Sequence, residues 1–259
     1  MNGEIYQLSM LVTEARNALT SEHEFLYSNG TYTNSIKFHF IPHGIFPLKP
    51  RVASNAREWF QYCIQNGVYD VKLLIPLQVQ DRSLLGFVNA SGACMLTFHR
   101  HGLVTYWQAA WEFDRSLHKW NVEYHEQEWQ NPPSQPPRFE NNKETFMDIL
   151  LRIGEFADRI EFRNFGDIFR NAHDILSGKS EIPAQYLENV QNGFSYMPEE
   201  KKRMFIAAST ADVFGAMGSW NDSPPYYAHE KGLDDEYESL SDELRRQLCL
   251  AILYAVNET

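Results

Sequence analysis

The stretch CMLTFHRHGLVTYWQAAWEF, residues Cys94–Phe113, decides the fold. Side chains alternate in character along Cys94–His99, and in Leu103–Phe113 the large aromatic residues fall at odd-numbered positions on one face. A period of two residues is typical of a β-strand with one buried face. The intervening His101-Gly102 is too short for anything except a tight turn, so the stretch predicts an antiparallel hairpin.

Further strands extend this hairpin into a meander. Short polar or glycine-containing turns separate each candidate strand from the next, which favours antiparallel neighbours. The five predicted strands of the meander are Val71–Val79, Leu84–Val88, Cys94–His99, Leu103–Phe113 and Trp120–His125. A separate strand is predicted over Ser35–Ile41, where Ile36, Phe38 and Phe40 share one face.

Helical spacing of apolar residues flanks the meander and fills the C-terminal half. The predicted helices cover residues 3–20 and 52–66, and then Thr145–Phe162, Phe165–Leu176, Ile182–Val190, Pro198–Met217 and Asp234–Val256. The predicted fold class is therefore α+β: an N-terminal antiparallel β-meander with flanking helices, followed by an all-helical C-terminal half.

A proline-rich stretch, residues 130–142, separates these two regions. Four prolines within it disfavour regular structure and favour an extended path. The predicted organisation is an α+β region over 1–129, a linker over 130–142 and a helical region over 143–259. The aromatic face of Leu103–Phe113 is too apolar to stay bare, so we expect the helices to pack on the sheet in one compact body.

The net charge of −11 disfavours binding to nucleic acid, whose phosphates it repels, and favours a basic protein as a partner. No apolar run approaches the length that spans a bilayer, and the N-terminal segment predicts an amphipathic helix, not a signal peptide. Cys63, Cys94 and Cys249 lack the spacing of a metal or disulfide framework and suggest small buried residues in a reducing compartment. Together these features predict a cytoplasmic protein that does not enter membranes.

The most distinctive segment is Val213–Asp222, VFGAMGSWND. One interpretation is a ligand site, in which Trp220 offers a flat ring and Ser219, Asn221 and Asp222 orient polar groups. The other is a helix stop: Gly218 adopts a left-handed conformation, Trp220 fills the core, and the polar side chains hold the turn. The sequence leaves both interpretations open.

This signature, with Tyr237, Leu240, Ser241 and Leu244 downstream, resembles the C-terminal ends of uncharacterised bacterial proteins of the kind found near toxin, immunity or defence genes. The likeness covers about 50 residues and none of the meander. It implies a binding role and carries no catalytic residues with it.

Polar residues of the predicted strands suggest two further sites. His99 and His101, with Glu123 or His125 from a neighbouring strand, have side chains that bind metals, but the turn at His101 argues against a shared face, and we expect no metal or other cofactor. Acidic residues beside a histidine in Tyr124–Trp129 could serve acid–base chemistry, but we expect them at a solvated strand end. The aromatic face of Leu103–Phe113 could stack bases or sugars, but we expect it in the core.

Seven acidic residues and one lysine lie between Glu230 and Glu243. Acidic residues at the start of a helix interact favourably with its dipole, and an excess of them can steer a basic partner. The candidate binding residues are therefore Ser219, Trp220, Asn221, Asp222, Asp234, Asp235, Glu236 and Glu238.

Motifs of phosphate-binding loops, serine hydrolases and zinc proteases are absent from the sequence. We therefore expect a non-enzymatic acidic binding protein, such as an immunity or accessory protein of a bacterial conflict or defence system. The alternative is an enzyme or small-ligand sensor with a pocket between the sheet and the helices, near the VFGAMGSWND turn.

Overall fold

The protein is an α+β protein built around an open sheet of six strands, as seen in a computed structural model. The structure describes residues 1–21, 23–42, 51–182, 184, 192–215 and 217–258. The strands are β1 (Thr33–His39), β2 (Val52–Ala53), β3 (Val68–Leu74), β4 (Cys94–His99), β5 (Val104–Asp114) and β6 (Lys119–Glu128). Their order across the sheet is β2-β1-β6-β5-β4-β3.

Helices precede, interrupt and follow the strands. Two lie in the N-terminal half, α1 (Gly3–Thr20) and α2 (Ala56–Gln65), together with a short 3-10 helix (Arg82–Gly86). The C-terminal half contains α3 (Lys143–Arg159), α4 (Arg163–Ser177), α5 (Asn192–Ser195), α6 (Glu199–Ala211), α7 (Pro224–Glu230) and α8 (Asp234–Asn257). No helix in the described ranges is long and apolar enough to cross a membrane.

The antiparallel meander is confirmed for β3 to β6, where each strand pairs with the next in sequence. The sheet as a whole is mixed, because β1, the separate strand whose pairing the sequence left open, pairs in parallel with β6. The other four strands and α2 lie between β1 and β6 in the chain. A parallel pair needs such a long crossover connection, which local periodicity does not reveal.

Two strand boundaries in the meander also need correction. The predicted strand Leu84–Val88 is part of the 3-10 turn, because the side chain of Asp81 accepts hydrogen bonds from the backbone N–H of Ser83 at 2.8 Å and from its hydroxyl at 2.6 Å. The strand predicted over Val71–Val79 ends at Leu74. Pro76, which has no N–H to donate to a neighbouring strand, follows closely.

The inner face of the sheet packs against α1 and α2 through aromatic residues. Trp59 of α2 stacks on Phe38 of β1 with ring centroids 5.0 Å apart, and Phe38 stacks on Tyr124 of β6 at 4.9 Å. Trp107 of β5 meets the edges of these rings and is fully buried. The expectation that the aromatic face of β5 lies in the core holds for Trp107, whereas Phe113 at the far end is 43% exposed.

The C-terminal half contributes to the same hydrophobic cluster and touches the edge of the sheet. Asn257, at the end of α8, is fully buried, and its side chain bonds both backbone groups of Leu73 in β3. The backbone N–H of Leu73 donates to Oδ1 at 2.7 Å, and Nδ2 donates to the carbonyl at 2.9 Å. Asn257 thus takes the place of a neighbouring strand at this edge. The proposed division at 130–142 stays a prediction.

Most predicted C-terminal helices are present, but one of them is several residues shorter than predicted. The helix that starts after Pro198 ends at Ala211, not near Met217, and the chain loops back so that the N–H of Trp220 donates to the carbonyl of Val213 at 3.0 Å. Gly218 has the expected positive φ of 79°, but in this loop and not at the helix end. The helix predicted over Ile182–Val190 lies almost entirely outside the described residues.

Candidate functional site

A cleft of about 1300 Å³ lies between α1, the segment 28–33, the 3-10 turn, one end of β5 and β6, and the helix α6. Its walls come from residues far apart in the sequence, including Tyr6, Phe87, Trp111 and Phe205. Clefts of this kind, formed between a sheet and its helices, are common places for ligands. This cleft is therefore a candidate ligand site.

Aromatic rings form much of its lining. The eight aromatic lining residues are Tyr6, Tyr32, Phe87, Trp111, Trp120, Phe194, Phe205 and Phe214. On one wall the rings of Tyr6 and Phe205 lie 6.2 Å apart, and on another Trp111 and Trp120 lie 6.0 Å apart at 69°. Because Tyr32 is 75% exposed and Phe87 is 55% exposed, part of this aromatic surface already faces solvent at the mouth.

The charged groups of the lining are two carboxylates and the N-terminal ammonium of Met1, which lies 3.9 Å from a carboxylate oxygen of Asp212. Glu4 and Asp212 contribute carboxylates, and no Lys, Arg or His side chain lies among the described lining residues. The carboxylate of Glu4 is held in position because it accepts hydrogen bonds from the backbone N–H groups of Asn89 and Ser91. Burial raises the pKa of Tyr6, so its phenol stays neutral and able to donate a hydrogen bond.

Asp212 has a basic neighbour behind the cleft wall. Burial lowers the pKa of the Arg245 guanidinium, and the charge of Asp212 opposes that shift. One carboxylate oxygen of Asp212 also accepts a hydrogen bond from the backbone N–H of Asn2 at 3.2 Å. The charge of Asp212 is therefore partly balanced within the protein.

The VFGAMGSWND segment meets the cleft only through Phe214 among the described residues. Trp220 is fully buried, and its indole N–H donates to the hydroxyl of Ser241 at 2.8 Å. Its backbone carbonyl accepts from the phenol of Tyr237 at 2.8 Å. Trp220 therefore exposes no ring surface and fills space in the core between the helices.

The polar members of this segment hold the loop together. The carboxylate of Asp222 accepts from the N–H of Gly218 at 2.8 Å, and the hydroxyl of Ser219 donates to the carbonyl of Gly215 at 2.8 Å. The amide of Asn221 donates to the carbonyl of Arg82 at 2.9 Å. These bonds connect the segment to itself and to the 3-10 turn, and a role in ligand binding stays a prediction for these three residues.

Internal ion pairs engage much of the acidic segment. Glu236 pairs with Arg159 in a two-pronged contact at 2.6 and 2.9 Å, and Glu238 and Asp242 both pair with Arg82. Asp234 lies 2.9 Å from His229. Exposed pairs of this kind contribute little to stability, but they reduce the charge that this surface offers to a partner.

The proposed combination of His99 and His101 with Glu123 or His125 is not assembled. His99 is buried beside the turn at the end of β4, and its Nδ1 lies 3.2 Å from the carbonyl of Asn66. His125 is on β6, beside Gln108 in the middle of β5. The neighbour of His125 across the parallel pair is instead His39.

The expectation of a solvated strand end at Tyr124–Trp129 is wrong for Glu126. This residue is 5% exposed, and its carboxylate accepts hydrogen bonds from the hydroxyl of Thr105 at 2.8 Å and from the N–H of Ile41 at 3.1 Å. The carboxylate therefore links β5 to the chain that leaves β1. It belongs to the structure of the sheet and does not face the cleft.

Comparison of the chain with protein-family models, with curated proteins and with solved structures finds no match. The candidate site therefore rests on its geometry. The cleft could not be predicted from the sequence, because its aromatic residues come from separate elements and only the tertiary structure brings them together.

Proposed function

We propose that the protein binds a small, uncharged organic molecule with a flat ring in the cleft between α1, the sheet and α6. The observation that supports this proposal is the lining: eight aromatic side chains with no Lys, Arg or His side chain among the described lining residues. Apolar walls with a few polar groups are typical of sites for organic ligands, and ring faces favour stacking with a flat partner.

The charge of the lining selects against anions. A phosphate or carboxylate group inside the cleft would lose its water and meet the carboxylates of Glu4 and Asp212. The Met1 ammonium offers little compensation, because it already lies 3.9 Å from Asp212 and donates a hydrogen bond to the carbonyl of Ser209. A cation would also lose its water, and its attraction to the two carboxylates is weak, because Glu4 already accepts two backbone hydrogen bonds and Asp212 is near Arg245. An uncharged ligand avoids the loss of water by a charged group.

Three naphthalene derivatives of nearly equal size test this selectivity: naphthalenemethanol, naphthylmethylamine and naphthoic acid. Binding is measured by ligand-observed NMR and by isothermal titration calorimetry. We expect the neutral alcohol to bind at least about tenfold more tightly than the acid, a difference of about 1.4 kcal/mol. No binding of any probe, or tightest binding of the acid, would contradict the proposal.

A pair of matched substitutions tests the location. Trp111→Leu removes a ring that lines the cleft, whereas Trp129→Leu makes the same change in a small cluster elsewhere on the sheet. We expect only the first to weaken binding of the alcohol. Circular dichroism and melting curves of both variants separate loss of binding from loss of fold, and equal affinity of the two variants would place the ligand elsewhere.

The hypothesis of an acidic binding protein in a conflict system is a second proposal. The net charge of −11 supports attraction of a basic partner. The internal contacts of Glu236 and Glu238 with arginines, and of Asp234 with His229, leave Asp235 as the more available charge at the start of α8. Binding to a basic protein should then weaken with salt and in the double variant Asp234→Asn, Asp235→Asn. Binding that ignores both changes would count against it.

A further inference from the structure

The outer face of the sheet, opposite the helices, carries a second group of chemically active side chains. His39 of β1 lies directly beside His125 of β6 in the parallel register, and Glu123 lies two residues before His125 on the same face. Their nitrogen and carboxylate oxygen atoms all lie within 4.8 Å of one another. None of these three residues lines the cleft.

Two details describe how these side chains meet. Nε2 of His39 lies 3.1 Å from Oε2 of Glu123, yet this atom is buried and makes no well-directed hydrogen bond with any described residue. The rings of His39 and His125 are stacked, at 12° with centroids 4.6 Å apart. Because the lone pair of an imidazole nitrogen lies in the plane of its ring, one of the two rings has to turn before both nitrogens can face one ion.

We propose that His39, Glu123 and His125 form a binding site for a divalent transition-metal ion of the Zn²⁺ class. Two imidazoles and one carboxylate suit such ions better than Mg²⁺ or Ca²⁺, which prefer oxygen ligands. Ligands of tetrahedral Zn²⁺ lie about 3.3 Å apart, which follows from metal–ligand distances near 2.0–2.1 Å. Binding of the ion therefore requires the side chains to turn until the three atoms reach that spacing, and His39 and Glu123 are 32% and 41% exposed.

Lys37 competes with a metal ion for the carboxylate of Glu123. Its ammonium group lies 3.5 Å from the other carboxylate oxygen of Glu123, in the position directly across the strand pair. A metal ion and Lys37 therefore share one carboxylate, and the positive charge of Lys37 disfavours the ion. Three protein ligands also leave the solvent side of the ion open for water or a further ligand.

Zinc binding tests the site on the intact protein. Zn²⁺ affinity is measured by competition with a chromophoric chelator, and Co²⁺ serves as a spectroscopic probe of coordination. We expect one ion per chain. Loss even of outer partners of metal ligands costs about 10–100-fold in affinity, so His39→Ala, His125→Ala and Glu123→Gln should each weaken binding at least about tenfold.

Two further variants complete the test. His101→Ala removes a histidine that contacts His99, with ring centroids 5.3 Å apart, and should leave zinc affinity unchanged. Lys37→Met should strengthen binding, because it removes the competing charge. Zn²⁺ should raise the melting temperature of the native protein but not of Glu123→Gln, since an ion here joins β1 to β6. Absence of stoichiometric binding, or binding lost in His101→Ala and kept in the three ligand variants, would overturn the proposal.

Discussion

Asn257→Ala should destabilise the protein far more than a typical substitution near a chain end. The side chain of Asn257 is fully buried and satisfies both the N–H and the carbonyl of Leu73 at the free edge of β3. Alanine leaves these two backbone groups buried without partners. Each such loss costs about 1–3 kcal/mol, so we expect the free energy of unfolding to fall by roughly 2–5 kcal/mol.

Urea denaturation followed by circular dichroism measures this loss. Asn34→Ala is the matched control, because Asn34 is exposed and its side-chain amide donates to the side chain of Asn121. That change should alter the free energy of unfolding by less than about 0.5 kcal/mol. A loss below about 1 kcal/mol for Asn257→Ala would refute the reasoning that α8 completes the edge of the sheet through this side chain.

Three other predictions concern buried polar groups. Trp220→Phe should cost roughly 1–3 kcal/mol because it leaves the buried hydroxyl of Ser241 without its indole donor, and adding Ser241→Ala should recover part of that loss in the same urea assay. Burial raises the pKa of Tyr237 to about 12. This pKa lies above the value of about 10 in the unfolded chain, so the contribution of Tyr237 to stability is present below about pH 10 and is lost as the pH rises to about 12. The free energy of unfolding of Tyr237→Phe should therefore fall less steeply over that range than that of the native protein. Burial raises the pKa of Cys94 to about 11, so its alkylation by iodoacetamide in native protein, followed by mass spectrometry, should be roughly a hundredfold slower than in urea, and rapid native labelling would contradict this.

Local sequence patterns were sufficient for three of the four strands of the meander. Strand β4 is predicted to the residue, and β5 and β6 to within a few residues, because alternation and short turns lie close together in the chain. Helices α1, α3, α4 and α8 follow from apolar spacing for the same reason. The errors fall where a local side chain overrides the pattern, as Asp81 does at the 3-10 turn.

Long-range pairing was not predictable from these patterns. The polar face of Ser35–Ile41, with Lys37 and His39, and the polar face of β6 were both visible in the sequence, but nothing local placed them side by side. The group of His39, Glu123 and His125 depends on this parallel pairing. The cleft likewise depends on how α1, β5 and α6 meet, so single-element periodicity cannot assign its residues.

Two tryptophan-containing regions compete for the role of ligand site: the cleft, with Trp111 and Trp120, and the VFGAMGSWND segment, with Trp220. Each indole N–H gives its own signal in a proton–nitrogen correlation spectrum. A titration of the labelled protein with naphthalenemethanol therefore tests the central claim directly. The account predicts shifts for Trp111 and Trp120 with Trp220 unchanged, and shifts confined to Trp220 and its neighbours, or none at all, would contradict it.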